Sequence, residues 1–249
     1  MTSRPGIRAR LRRLGLYPQL SERNAPVSRL SNLSWWPVSR GCDDGPISRT
    51  GLSVHAMSEA WRERFLAEMQ AAAPVPLVAE RRWGYFSENR PRELAHLNSA
   101  NEYRAITPGL LAALRAFLDE RKGEIDAALG HSWRVASVRQ FYLRPGGTPG
   151  GRHYDGWPLA IRKLFILPNG ATPRTGSTWF RLRDGSELVV DEPRPIWMLF
   201  ENSQILHALV PGEVPRPTIE LNLVPARRTS TEPLNAGMNC WYPFYPWVP

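Results

Sequence analysis

The sequence predicts an α+β chain, a jelly roll of short strands backed by helices that precede it. Three observations carry this. Between residues 58 and 130 apolar residues recur at helical spacing. From Arg134 onward they gather in short β-rich runs. Pro, Gly and Asn punctuate those runs at close intervals. Many short strands close on themselves as a sandwich or barrel, and helices before them cover one side. The 249 residues suffice for one well-cored domain with a decorated N-terminal region.

The N-terminal stretch is rich in Arg, Ser, Pro and Gly, with Trp35-Trp36-Pro37 as its strong apolar anchor. It is expected as an irregular arm over 1–55. A single domain over 56–249 follows, with helical support over 56–130, a jelly-roll core over 134–226 and an aromatic, proline-rich tail over 227–249. Ser58 reads as an N-cap, with Glu59 in the first helical turn. Trp61, Phe65, Leu66 and Met69 follow at helical spacing until Pro74 and Pro76. The aromatic, charged segment from Arg81 to Arg104 fits no element clearly. A second helix starts at Thr107-Pro108, a cap followed by proline at the first helical position. Leu110, Leu111, Leu114, Phe117 and Leu118 make its apolar stripe. Gly123 is expected to bend this helix and Gly130 to end it. Strands are expected over 135–143, 162–167, 177–183, 187–190, 196–200 and 218–224. Turns at Pro168-Asn169-Gly170, Asp184-Gly185 and Pro211-Gly212 separate several of them. The tail from Cys240 cannot be a helix, and its rings are expected to lie against the core or a second subunit.

The formal charge of +9 suggests an anionic partner. Lys122 and Lys163 are the only lysines, however, so the basicity reads as arginine drift and counts against a nucleic-acid surface. A small-molecule or carrier-bound substrate, anionic or not, fits better. Cys42 and Cys240 build no disulfide framework or zinc motif, which suits a reducing cytoplasm. The basic stretch from Arg4 to Arg13 lacks the apolar run of a signal peptide, and no stretch is long enough to span a membrane. The sequence leaves the oligomeric state open.

The densest chemical signal is Gly151-Arg152-His153-Tyr154-Asp155-Gly156-Trp157-Pro158. On extended chain, period-2 alternation puts His153 and Asp155 on one face. An imidazole and a carboxylate side by side supply two metal ligands, and His207 offers a third. Two His and one carboxylate with open positions favour non-haem Fe(II) oxygen chemistry. Nine residues after His207, Arg216 opens an alternating strand. Arg216, Thr218, Glu220 and Asn222 share one face, and Ile219, Leu221 and Leu223 the other. Polar groups facing a barrel interior need partners. A dicarboxylate gripped by the planar fork of Arg216 is one solution.

These residues resemble the Fe(II)- and 2-oxoglutarate-dependent oxygenases. The resemblance covers about Arg139 to Pro225. It rests on His153-x-Asp155, His207 52 residues later, and Arg216-Pro217-Thr218, similar to the family's Arg-x-Ser form. It implies a double-stranded β-helix, a jelly-roll, cupin-like fold. It also implies Fe(II) held by His153, Asp155 and His207, with 2-oxoglutarate anchored by Arg216 and Thr218. Tyr142, which shares a strand face with Gln140, is a further candidate contact to 2-oxoglutarate. The implied reaction uses O2, decarboxylates 2-oxoglutarate to succinate, and hydroxylates or desaturates a substrate. Phytanoyl-CoA hydroxylase-like and prolyl hydroxylase-like members share the motif order. Asp155 sets the chain apart from the related halogenases, which lack that carboxylate. No second arginine stands in Thr218 to Pro225, as the nucleic-acid demethylases of the superfamily usually have. Glu201 and Asn202 are candidates to orient His207. Trp157 and Arg162 are candidates for the substrate mouth, and Trp83 and Tyr85 for a lid.

Two other classes remain open on the sequence. One is a metal-binding cupin enzyme that uses no 2-oxo acid, and so has no need of Arg216. The other is a non-catalytic binding or sensor module on the same barrel.

Overall fold

The computed structural model describes residues 47–75, 101–130, 132–146, 152, 162–201, 205–226 and 245–246. In chain order these form α1 (Ile47–Thr50), β1 (Leu52–Ala56), α2 (Glu59–Ala71), β2 (Asn101–Arg104), α3 (Pro108–Glu120), α4 (Lys122–Leu129), β3 (Trp133–Leu143) and β4 (Arg162–Leu167). There follow β5 (Ser177–Arg181), β6 (Glu187–Val190), β7 (Ile196–Phe200), β8 (Leu206–Val210), β9 (Arg216–Pro225) and β10 (Tyr245–Pro246).

The strands make two antiparallel sheets. The main sheet runs β1-β7-β4-β9-β3-β10, with β2 also paired to β3; the minor sheet runs β6-β5-β8. This is the helix-backed jelly roll expected from the sequence.

The helices form where their caps dictate. The Ser58 side chain accepts from the Trp61 amide at 3.4 Å, and the Thr107 hydroxyl accepts from the Leu110 amide at 3.0 Å. Pro108 is the first residue of α3. The expected long helix divides at Arg121 rather than bending at Gly123, and Gly130 closes α4 with φ 71°. The apolar stripes of α2, α3 and α4 pack on the outer face of the main sheet. Phe65, Met69, Leu114, Phe117 and Ile125 meet Leu164, Ile166, Trp197, Leu199, Ile219 and Leu221 in one buried cluster. The Phe117 ring stands edge-on to Phe65 at 5.5 Å and to Trp197 at 6.2 Å.

The other face of the main sheet turns toward the minor sheet. Phe165, Leu167, Ile196, Met198 and Phe200 meet Phe180 and Ile205 there in a second cluster. Strands β4, β7 and β9 are therefore buried on both faces, and β7 is buried at every position.

Four strands, β1, β2, β8 and the short β10, were not among those expected. β1 takes the last residues of the expected arm and pairs along β7 as a strand of the main sheet. β2 lies in the segment without a clear assignment and pairs with β3. β8, which carries His207, pairs with β5. The tail residues Tyr245 and Pro246 pair with Val138 and Ser137 of β3. The rest of the tail, the arm before residue 47 and the lid candidates Trp83 and Tyr85 lie outside the described residues. Among the described residues no helix is long and apolar enough to cross a membrane.

Candidate active site

The interior between the sheets is apolar on the β7 side and polar along β9. Strand β9 runs between β3 and β4, and its alternation is as the sequence predicts. Ile219, Leu221 and Leu223 join the helix-side cluster. Arg216, Thr218, Glu220 and Asn222 take the inner face, each with no exposed surface. Cross-strand partners share a face. Leu143, Phe141, Arg139 and Ser137 of β3 pair in turn with those four, so they also point inward.

Arg216 is held at one corner. Its Nη1 donates to the Gly176 carbonyl at 2.8 Å and to the Thr178 hydroxyl at 3.3 Å. Its Nε and Nη2 are buried without a hydrogen-bond partner, as is the hydroxyl of Thr218. Full desolvation pushes the Arg216 pKa down to about 9. A buried guanidinium with one open edge is costly unless an anion completes it.

His207 enters the interior from the opposite sheet. It pairs with Phe180 of β5, whose ring belongs to the inner cluster, while Leu206 and Ala208 pack with Trp179 on the outer face. The His207 side chain is buried, with its ring centroid 5.1 Å from that of Phe200 and its Nδ1 3.3 Å from the Ile205 carbonyl oxygen. Thr178, which holds Arg216, and Phe180, which faces His207, are successive inward residues of β5. That spacing is about 7 Å along a strand. His207 and the anchor of Arg216 thus lie roughly the length of a five-carbon diacid apart.

The expected site residues fall into three groups. His207, Arg216 and Thr218 share the interior. Tyr142 does not. It pairs with Pro217, which lies between Arg216 and Thr218, so it occupies the opposite face. There it packs on the helix-side cluster, with the Arg104 guanidinium over its ring at 5.2 Å. Burial raises the pKa of its phenol. Gln140 shares that face and donates to the Ala105 carbonyl. The reading of Tyr142 as a 2-oxoglutarate contact is therefore corrected. His153 and Asp155, with Trp157 and Asn202, lie outside the described residues. Glu201 is fully buried and pairs with Arg183, and its carbonyl accepts from the Ile205 amide at 3.1 Å. Through that carbonyl it holds Ile205 at the entry to β8.

Sequence reasoning missed a buried charge cluster. Arg139 donates through Nε to the Glu220 carboxylate at 2.7 Å, and Lys163 lies 2.7 Å from its other oxygen. The signal was available: a charged residue in the middle of β3, and one of only two lysines inside an apolar run.

No family model matches the chain, and no curated protein matches it. Solved structures do. A prolyl-4-hydroxylase from Pseudomonas putida is 17% identical with a TM-score of 0.51, over 76% of this chain and 98% of that one. A prolyl hydroxylase from Trichoplax adhaerens, solved with a hypoxia inducible factor oxygen degradation domain peptide, is 16% identical with a TM-score of 0.53. That match covers 79% of this chain and 90% of the other. The non-heme alpha-ketoglutarate-dependent epimerase SnoN, from nogalamycin biosynthesis, is 12% identical with a TM-score of 0.52, over 78% and 83%. At such identities the likeness is one of fold, and the fold of this chain is a double-stranded β-helix, as in these structures.

Proposed function

We propose that the protein is an Fe(II)- and 2-oxoglutarate-dependent dioxygenase that hydroxylates an organic substrate. The observation that carries this reading is Arg216. It is fully buried, tied at one corner, and left with Nε and Nη2 unpaired beside the unpaired Thr218 hydroxyl. Those atoms are donors in the geometry that a carboxylate takes up with two charge-assisted hydrogen bonds. The donor set therefore fits the far carboxylate of 2-oxoglutarate, and His207, inward and about one diacid length away, fits a metal at its other end. A cupin enzyme without a 2-oxo acid leaves the burial of Arg216 unexplained.

His153 and Asp155 are the proposed remaining iron ligands. Two facts about described residues support them. Strands β3 and β4 both run antiparallel to β9, so they are parallel to each other. The chain leaves β3 at Leu143, opposite Arg216, and enters β4 at Arg162, opposite Leu223. The connection must cover about 23 Å of sheet. Arg152, within that connection, stacks on the Trp179 ring at 3.9 Å on the outer face of the minor sheet. On the alternation of an extended chain, an outward Arg152 is what the proposal of inward His153 and Asp155 ligands requires.

Bound iron and 2-oxoglutarate would supply the oxidising power, with O2 consumed, 2-oxoglutarate decarboxylated to succinate and one oxygen atom delivered to a substrate C–H bond. The chain's own residues do the rest. His207 offers a ring nitrogen from a strand fixed at both ends. Gly176 and Thr178 hold the Arg216 fork in one orientation, and Arg216 with Thr218 sets the direction of the diacid. Phe180 and Phe200 exclude water around the His207 ring.

Succinate release from 2-oxoglutarate with Fe(II) under air is the test. Asp155→Ala and His207→Ala should abolish it, and Arg216→Ala should raise the 2-oxoglutarate requirement steeply. Decarboxylation by Asp155→Ala at the wild-type rate would overturn the ligand assignment. Turnover of any substrate by Arg216→Ala without 2-oxoglutarate would favour the iron-only cupin.

A further inference from the structure

Strand β9 leaves one more polar atom unanswered, away from Arg216. Asn222 has no exposed surface, and it shares the inner face with Arg216 and Thr218. Its Nδ2 donates to the Ser137 hydroxyl of β3 at 3.0 Å. The amide is planar, so tying its nitrogen fixes where its carbonyl oxygen points, away from that contact. The oxygen is buried and, among the described residues, nothing donates to it. A buried carbonyl is costly to leave unpaired. Its place in the barrel suggests what pairs it. Asn222 is opposite Lys163 in the sheet, and Lys163 is opposite Phe200, whose ring lies 5.1 Å from that of His207. Two strand spacings separate the Asn222 and Phe200 backbones, about 10 Å, a span of small-molecule size.

Chemistry decides what can meet the Asn222 oxygen. 2-Oxoglutarate cannot, because the dianion carries acceptors and no donor. Phe180 and Phe200, the apolar neighbours of the His207 ring, cannot either. We propose that Asn222 is a specificity-determining residue whose carbonyl oxygen accepts a hydrogen bond from a hydroxyl or amide N–H of the substrate. That donor stands within a few bonds of the carbon presented beside His207, because so short a span separates the two. A site built around a buried acceptor rejects an analogue without the donor far more strongly than one that differs by a methylene. The proposal rests on the oxygenase reading above.

The full chain is loaded anaerobically with Fe(II) and 2-oxoglutarate, and the visible charge-transfer band of the complex is recorded before any probe is added. Absence of that band in the wild-type protein overturns the oxygenase reading and this proposal with it. With the band present, three uncharged rings of similar shape are titrated in: cyclopentanol with a hydroxyl donor, pyrrolidin-2-one with an amide N–H, and cyclopentanone with no donor. The expected result is a band shift whose midpoint for one or both donor rings lies at least about tenfold below that for the ketone; which ring responds identifies the donor. Equal midpoints for rings with and without a donor, or no shift with any ring, overturn the proposal and leave the oxygenase reading standing. Asn222→Leu should bring the three midpoints within about threefold of one another, and Asn222→Asp, which keeps an acceptor, should restore the spread. An undiminished preference for the donor rings in Asn222→Leu overturns the proposal. The band itself reports that each variant is folded and loaded. Should Asn222→Leu not show it, Asn222→Ala is read in its place, and the contrast among the rings in the wild-type protein needs no variant.

Discussion

Arg216 shows how a single side chain ties stability to ligand. Its ordinary pKa is near 12.5, and burial brings it down to about 9. A cation whose folded-state pKa lies below its unfolded value costs stability at neutral pH, and the cost fades as pH rises through about 9. A carboxylate on the open edge of the guanidinium reverses that cost. 2-Oxoglutarate at a hundred times its dissociation constant should therefore stabilise the metal-loaded protein by about 2.7 kcal/mol. In Arg216→Met this gain should be lost. In the wild-type protein it should be largest below pH 9 and shrink above, as thermal melts with and without the ligand will register. The inward set of β9 was legible because alternation along an uninterrupted strand fixes which residues share a face. Tyr142 was not. Alternation states that Tyr142 and Gln140 go together but not which way they point. Strand β3 carries large side chains on both faces, so hydrophobicity does not break the tie; only the pairing of Tyr142 with Pro217 does. A bulge between Val135 and Ser137 further resets the phase, and so Val135 and Val138 both face the helices.

Among elements, β5 links the two halves of the site. Its start is held by Gly176, at φ 95°, whose carbonyl accepts from Arg216. A Cβ at Gly176 would meet the Val210 carbonyl oxygen at 2.8 Å and the Gly212 amide nitrogen at 3.1 Å. Gly176→Ala is thus expected to destabilise the protein by about 1–3 kcal/mol. It should also weaken 2-oxoglutarate binding beyond what lost stability explains, because the Arg216 anchor moves. Urea titration and ligand binding measured on the same samples check both. The helices were legible from their caps, since Ser58, Thr107-Pro108 and Gly130 are local signals. β8 was not, because Leu206-His207-Ala208-Leu209-Val210 is an apolar run with no alternation to mark it and no turn residue at its start. β1 was obscured in the same way by the irregular composition before it.

On the scale of the whole molecule, helices and barrel share one core. Phe117 touches Phe65 and Trp197 at once, so it joins two helices to the main sheet. Phe117→Ala should cost about 3–5 kcal/mol. The loss should appear as one lowered urea midpoint common to helical and aromatic signals, since a core continuous through both layers unfolds together. Two separate transitions would show that the helices are a detachable cover. The order of layers was legible from the change of period along the chain, whereas the pairing of the strands was not, because partners lie far apart in sequence.

That distance matters at birth as well as in the finished molecule. Strand β3 finds its longest partner in β9, with Trp133 opposite Pro225 and Leu143 opposite Arg216. A ribosome must therefore deliver about eighty further residues after β3, which β2 flanks earlier on one side, before β9 can join it. Until then Arg139 lacks the Glu220 carboxylate to which it donates in the finished protein. The nascent barrel is a candidate for chaperone custody, and the capacity to bind a diacid should emerge last, as a signal that synthesis and closure are both complete.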